Sequence, residues 1–463
     1  MSTPANTDRP RAAALYESAK KIYPREIRGR FESLSKLATN ILLGLFYFVP
    51  WLMWDERQAF LFDLPARKFY LLGLTLWPQD FPYLALLLII AALSLFFFTA
   101  LAGRLWCGFA CPQTVWTEAF IWMEQLTEGT RSQRMKLDKA PWSWKKLRRK
   151  GSKQFLWITF SMWTGFTFVG YFMPIRQLGL DIADLNVAGW TLFWGLFYSF
   201  ATYGNAGYMR EQVCKFMCPY ARFQSAMFDK DTLVISYDEL RGEPRGGRKR
   251  SVDRKQEGLG DCIDCKLCVQ VCPTGIDIRD GLQYECIACA VCIDACDSIM
   301  DKMDYPRGLV RYTTEHSIHG ESTHVLRPRM FVYAALLTVL LVALITSMAT
   351  RTPIILDVLR DRNTLYRELP GDIIENSYTV KVINQSNVQR DFRLSVDGVP
   401  GLILDGVGEQ ITVAGGDVLS LPVRARAERD NAYGIMHITF SVSAVDDESD
   451  SVTEDSRFLG PTP

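Results

Sequence analysis

The sequence predicts a multi-domain membrane protein: an α-helical bundle of about five transmembrane helices, a small cysteine-rich α+β insert, and a C-terminal β-sandwich. Three observations carry this. Five apolar runs have spanning length, allowing for tilt. All twelve Cys lie between Cys107 and Cys296. After Ser377 the chain alternates apolar and polar residues between Gly, Asn and Asp breaks.

At 463 residues the chain has room for two or three domains. Its formal net charge of +1 gives no support to a global nucleic-acid reading. The last 167 residues contain no Cys, so this is not a secreted disulfide framework. Clustered Cys point instead to thiolate–metal chemistry in a reducing compartment.

Residues 1–36 read as an N-terminal arm. Residues 37–257 read as a four-helix membrane region, with spans at 37–54, 81–103, 155–173 and 187–203. Pro50 predicts a kink in the first. The fourth holds Gly195 and Ser199 and gives the weakest signal. A fifth span follows at 330–348. Residues 1–36 carry 8 Lys and Arg, 55–80 carry 3, 104–153 carry 11, 175–186 carry 1 and 204–329 carry 18. Positive loops stay inside. The N-terminus is therefore expected in the cytoplasm and the tail outside it. The first apolar run starts too late for a cleavable signal. In a bacterium this gives an inner-membrane protein with a periplasmic tail and every Cys on the cytoplasmic side.

Between the second and third spans, Val115, Trp116, Ala119, Phe120, Met123 and Leu126 fit one helical stripe. PWSWKKLRRK (141–150) mixes Trp with five basic residues. Both are expected along the membrane surface. The basic run serves equally well as a topology signal.

Two motifs are written alike: WCGFACPQTVW (106–116) after the second span and VCKFMCPYARF (213–223) after the fourth. Each contains Cys-x3-Cys-Pro. Proline is favoured at the first helical position and pushes its predecessor out of the helical region. Cys111 and Cys218 are thus expected at helix N-termini, with Cys107 and Cys214 four residues back. Unpaired N–H groups there favour a thiolate. The residues alone leave four readings open: a Cu(I) site, which thiolates select; a redox dithiol; a further cluster or zinc site; or buried packing Cys.

Residues 258–305 carry CIDCKLCVQVCPTG (262–275) and, 24 residues on, CIACAVCIDACDS (286–298). This is the two-cluster bacterial ferredoxin spacing, Cys-x2-Cys-x2-Cys-x3-Cys. The fourth ligand of each run serves the other cluster. Cys262, Cys265, Cys268 and Cys296 are expected to hold one 4Fe–4S cluster, and Cys286, Cys289, Cys292 and Cys272 the other. Asp297 stands where the second run would usually carry Pro. RGEPRGGRKR (241–250) reads as a mobile basic linker. In the juxtamembrane segment 306–329, His316, His319 and His324 read as a hydrated loop rather than a metal site. The tail, 352–463, reads as an Ig-like β-sandwich of about 80 residues, with a disordered end that includes ESDSVTEDS (448–456).

In this order the elements resemble the CcoG family of cytochrome c oxidase accessory proteins, also called FixG or RdxA, over roughly residues 20–445. The resemblance implies an iron–sulfur protein that reduces Cu(II) to Cu(I) for the copper centre of a cbb3-type oxidase. By matching motif it implies copper handling, and so catalysis, by Cys107, Cys111, Cys214 and Cys218, with the eight ferredoxin Cys as electron relay. The partners implied are the membrane, the oxidase and its copper-assembly factors, with a homodimer among the assemblies considered. No motif identifies the electron donor. Two other readings stand beside this one. A membrane ferredoxin exchanging electrons with the quinone pool fits a similarity to the membrane ferredoxins of periplasmic nitrate reduction. A non-enzymatic redox sensor or assembly scaffold would place the function in the tail.

Overall fold

The computed structural model describes residues 21–251, 257–362, 364–386, 388–447 and 450–462. The first twenty residues of the predicted arm, and Glu448 and Ser449 of the predicted disordered end, lie outside these. The chain forms two compact units: 1–52 with 88–337, and 53–87 with 338–463.

The first unit is built on helices. They are α1 (Arg30–Phe48), α2 (Phe81–Ala102), α3 (Leu105–Phe109), α4 (Pro112–Glu128), α5 (Arg131–Lys139), α6 (Trp144–Val169) and α7 (Ile175–Ala183). There follow α8 (Gly189–Thr202), α9 (Pro219–Ala226), α10 (Glu239–Gly242), α11 (Leu267–Val271), α12 (Val291–Met303), α13 (Glu315–Ile318) and α14 (Pro328–Ala349). The unit boundary falls within α2 and α14.

Among the described residues, three helical stretches are long and apolar enough to cross a membrane: Arg30–Trp51, Pro78–Ala102 and Pro328–Ala349. Helix α2 stops where Gly103 turns to φ +57°, the left-handed stop that glycine adopts freely. Helix α1 starts inside the predicted arm, because Asp294 of α12 accepts a hydrogen bond from the Glu32 N–H at 2.8 Å. Pro50 lies in a 3₁₀ turn (Val49–Trp51) beyond the end of α1, so the expected kink is absent.

The predicted third and fourth spans lie on α6 and α8. Helix α6 begins at Trp144, capped by Ser143, so the basic run forms its first turns. Helix α8 has 14 residues and widens into a π-helical turn, Tyr203–Met209. At 1.5 Å per residue α8 spans about 21 Å, short of the ~30 Å hydrocarbon core. The two helices pack on their small residues. A Cβ on Gly165 would stand 2.2 Å from Ser199 Oγ and 2.3 Å from the Gly195 carbonyl. The residues that weaken the hydropathy signal are therefore the contact itself.

Helix α4 does not lie free along a surface. Val115, Phe120, Ile121 and Met123 are buried, with Phe120 and Met123 packed on Trp157 of α6. Leu126 of the predicted stripe is exposed. The buried face also carries Glu124 and Glu128, both fully enclosed. Glu124 pairs with Arg210 at 2.5 Å, Lys21 at 3.3 Å and Arg134 at 3.8 Å. Glu128 pairs with Lys150 at 3.0 Å and Lys153 at 3.1 Å. Buried carboxylates need such partners.

The ferredoxin segment is wider than 258–305. Strands Val234–Tyr237 and Val310–Thr313 pair antiparallel and close it. Ile235, Ile276, Ile278, Ile293, Met300 and Leu309 form its core. The 241–250 stretch is pinned rather than mobile. Arg241 pairs with Asp261 at 2.5 Å, and Arg248 donates to the Gly260 carbonyl at 2.6 Å and to Tyr305 Oη at 3.1 Å.

The second unit is a two-sheet sandwich. One sheet runs Ile403–Asp405, Val418–Glu428, Ile373–Asn384, Ile354–Arg360, with Arg367–Leu369 also on Ile373–Asn384. The other runs Ile411–Val413, Arg390–Asp397, Ile435–Ala444, Ser451–Leu459. Val380, Val382, Phe392, Val423, Phe440 and Phe458 fill the space between. The expected disordered end is instead the last strand, in register with Ile435–Ala444. Its Phe458 is buried, while Glu454 and Asp455 are exposed on an edge strand, where charge discourages further pairing. Residues 53–76 add small antiparallel sheets, and Lys68 Nζ donates to the Gly416 carbonyl at 2.8 Å.

Candidate metal and electron-transfer site

The two ferredoxin loops share one backbone shape. Asp264 and Lys266 flank Cys265 with φ of 52° and 55°, and Ala288 and Ala290 flank Cys289 with 54° and 63°. Left-handed non-glycine residues are uncommon; four at matching positions mark loops shaped for a group they enclose. One cavity is lined by Cys262, Cys265, Cys268 and Cys296. A second is lined by Cys272, Cys286, Cys289 and Cys292, with Cys268 at its edge. These sets of soft donors fit cubane clusters. Cys272 ends α11 with Pro273 behind it, whereas Cys296 lies inside α12. Asp297 lets that helix continue, where Pro would break it. Its carboxylate also accepts the Gly308 N–H at 2.9 Å.

The Cys-x3-Cys-Pro motifs fold as their prolines require. Cys111 and Cys218 are the N-cap residues of α4 and α9, with ψ of 129° and 109°. Cys107 lies on α3, and Cys214 lies in a π-helical turn, Val213–Met217. The four thiols are neighbours, since Cys107 feels the charge of Cys111, Cys214 and Cys218, and Cys214 that of Cys111 and Cys218, but no three of their sulfurs lie within 4.8 Å of one another. Cys107 Sγ donates to the buried Gln224 Oε1 at 3.2 Å. The expected low thiol pKa is overturned by burial, which pushes Cys107 up to about 12 and Cys214 up to about 11. At Cys111 burial also raises the pKa, opposed by the N–H groups of Gln113 and Thr114. The helix terminus acts as expected but is outweighed.

This thiol group abuts the second ferredoxin loop. Gly108, between Cys107 and Cys111, has no room for a side chain. A Cβ there would stand 2.8 Å from the Ile287 carbonyl, 2.9 Å from the Ala288 carbonyl and 2.9 Å from the Cys289 nitrogen. Buried Arg104 ties the same parts together, donating to the carbonyls of Tyr284, Cys286 and Ala221. A cavity beside them is lined by Cys214, Cys289, Gly108, Gln113, Glu211 and Glu118, among others. Burial and the nearby Glu32 carboxylate push the Glu118 carboxyl up to about 7, against the pull of Lys36.

Gly108, Arg104, Gln224 and Glu118 were not singled out from the sequence. The glycine inside Cys-x-x-x-Cys was the available signal, since backbone contact excludes a Cβ. Among the described residues, the one set of three or more Cys, His or carboxylate donors within 4.8 Å of one another is Asp231, His316 and His324. His324 is exposed, as a hydrated loop requires. His316 is partly buried and bonds Asp231 Oδ1 at 2.8 Å.

Comparison with known proteins agrees with this architecture. Residues 209–315 match the 4Fe-4S dicluster domain family, 84–128 a 4Fe-4S binding domain, and 344–461 the Ig-like fold at the C-terminal of FixG. Protein RdxB of Cereibacter sphaeroides is 40% identical over 415 residues, covering 87% of each chain. Nitrogen fixation protein FixG of Rhizobium meliloti is 37% identical, covering 85% of this chain and 82% of its own. Protein RdxA of Cereibacter sphaeroides is 38% identical, covering 96% and 94%. The chain belongs to the FixG/RdxA family. A solved FixG-related protein from Vibrio parahaemolyticus is 32% identical and covers 23% of this chain and 96% of its own, with a TM-score of 0.22. As a FixG/RdxA member with these domains, the chain is an iron–sulfur electron-transfer protein of the membrane.

Proposed function

We propose that the chain reduces Cu(II) to Cu(I) at Cys107, Cys111, Cys214 and Cys218, for the copper centre of a cbb3-type cytochrome c oxidase. One observation carries this reading: the motif that holds Cys107 and Cys111 is pressed on the ferredoxin loop, with Gly108 against the backbone of residues 287–289. Cys262, Cys265, Cys268 and Cys296 would hold one 4Fe–4S cluster, and Cys272, Cys286, Cys289 and Cys292 the other. When bound, these supply single electrons, one for each Cu(II) converted to Cu(I).

The remaining chemistry belongs to side chains. Thiols are soft donors that favour Cu(I) over Cu(II). Cys107 and Cys214 are protonated near neutrality, so taking up copper releases protons. Gln224 orients Cys107. Arg104 holds the Cys286 loop and α9 to the thiol site. Carboxylates along the cavity beside Cys214, Glu211 among them, attract a cation. The oxidase as recipient follows from the family resemblance.

The sidedness proposed is a cytoplasmic N-terminus and iron–sulfur region, a periplasmic tail, and five spans in a bacterial inner membrane. Residues 55–80 and the tail, both expected outside, belong to one compact unit, which supports this. The small-residue contact between α6 and α8 supports a membrane hairpin.

The test is anaerobic. Purified protein is reduced, freed of reductant and given Cu(II). Cluster bleaching is followed against Cu(I) captured by a chelator, in wild type and in a variant lacking all four Cys. Equal reduction by the variant refutes the reading and brings the quinone reading forward. A second reading has its own observation, the match of 84–128 to a 4Fe-4S binding domain. There the same four Cys hold a third cluster, and purified protein carries four more irons than two clusters require.

A further inference from the structure

Among the described residues, one set of side chains with metal-ligating atoms lies outside the cysteine sites. Asp231, His316 and His324 each offer a donor atom, all within 4.8 Å of one another. Asp231 Oδ1 lies 2.8 Å from His316 Nδ1 and 3.9 Å from His324 Nδ1. Two donors held at about 2.1 Å from one ion stand roughly 3–4 Å apart. Both histidine–Asp231 separations are close to that range, and all three donors lie within 4.8 Å. Glu321 Oε2, 3.5 Å from His316 Nε2, adds a second carboxylate at the rim.

The fold holds these groups in place without a bound ion. The His316 N–H donates to the Lys230 carbonyl at 3.2 Å, and the His324 N–H to Asp231 Oδ1 at 2.9 Å. The hydroxyls of Thr314 and Thr323 pair at 2.7 Å and close the loop between the histidines. Nearby cations are already matched: Arg327 pairs with Asp229, and Lys230 with Glu315 at 3.6 Å. A surface ion pair needs only one histidine. Here two imidazoles flank one carboxylate, which is a donor set for a metal.

We propose that Asp231, His316 and His324 form a binding site for a divalent first-row transition-metal ion, with Cu(II) bound most tightly. Imidazole and carboxylate suit divalent ions, and Cu(II) heads the affinity order. The choice of copper as the natural ion rests on the copper reading above. In that frame nitrogen and oxygen donors hold the oxidised ion and sulfur donors the reduced one. No electron moves at this site.

The experiment is a Cu(II) titration of the full-length protein in detergent, with oxidised clusters and no reductant, read by electron paramagnetic resonance. The expected result is one Cu(II) per chain with nitrogen superhyperfine coupling from two imidazoles. His324→Gln, which changes an exposed side chain, should weaken binding at least tenfold. His316→Gln with His324→Gln should abolish the coupling, while cluster absorbance shows the fold retained. The coupling should persist in the variant lacking Cys107, Cys111, Cys214 and Cys218. Absence of a nitrogen-coupled signal at one equivalent, or its survival in the double histidine variant, overturns the proposal. Failure of copper reduction with the signal present overturns only the copper-reductase reading.

Discussion

Gly108→Ala is the sharpest probe of how the thiol site meets the ferredoxin loop. The added Cβ would lie 2.8–2.9 Å from three backbone atoms of residues 287–289, where ordinary contact begins at 3.4 Å. Backbone atoms cannot rotate away, so the two segments must part by about 0.5 Å. Overpacking of this kind costs about 1–3 kcal/mol. A 1 Å misplacement of reacting groups costs about a hundredfold in rate, so roughly tenfold is expected here. Gly151→Ala is the control, because nothing lies within 4 Å of its Cβ position. The assay is stopped-flow bleaching of the reduced protein by Cu(II), with iron content measured on the same sample. Gly108→Ala should keep its iron, melt earlier and oxidise about tenfold more slowly. Wild-type bleaching with an earlier melt would show that this contact holds the fold without setting the electron route.

Four other outcomes follow from the structure. Cys107→Ala or Cys214→Ala should impair Cu(I) formation while both clusters keep their absorbance; loss of iron would contradict that division. Glu124→Gln should cost about 3–5 kcal/mol in a detergent unfolding experiment, because Arg210 and Arg134 would lose their carboxylate. Burial pushes the Glu124 carboxyl up, but Arg210, Lys21 and Lys153 more than reverse this and leave it at about 2. Its stabilisation is therefore complete above the unfolded value of about 4.3 and is lost as pH falls toward 2, which acid unfolding of wild type against Glu124→Gln would reveal. Gly165→Val should separate α6 from α8 and lower the melting temperature, with Gly151→Ala again unaffected. Alkaline phosphatase fused to the C-terminus should be active in intact cells, and an inactive fusion would reverse the proposed sidedness.

Much of this arrangement was legible in the sequence because it depends on local rules. The prolines after Cys111 and Cys218 fix helix starts, and both residues cap helices. Alternation fixed the sandwich but missed its last strand. Ser451–Leu459 is rich in polar and charged residues and reads as disordered until Val452 and Phe458 are placed inside. Hydropathy treated Gly195 and Ser199 as weakness in a span, although they are where Gly165 packs. The thiol pKa values failed for a related reason. A helix N-terminus is visible in sequence, whereas the burial that outweighs it depends on chain segments about a hundred residues apart. Long-range contacts likewise hid Asp294 at the start of α1 and Arg210 beside Glu124.

The protonated thiols bear on how copper would be taken and released. Burial pushes Cys107 up to about 12 and Cys214 up to about 11, so these two bind a proton strongly near neutrality. A metal ion must displace those protons, and its net affinity falls by the cost of doing so. A site of low-pKa thiolates would hold Cu(I) more tightly and release it more slowly. Arg104, whose charge reaches both Cys107 and Cys286, offsets part of the cost of ionising Cys107. Replacing Arg104 with Gln should therefore weaken Cu(I) retention in competition with a chelator and loosen the Cys286 loop together. An unchanged Cu(I) affinity with a loosened loop would confine Arg104 to a structural role.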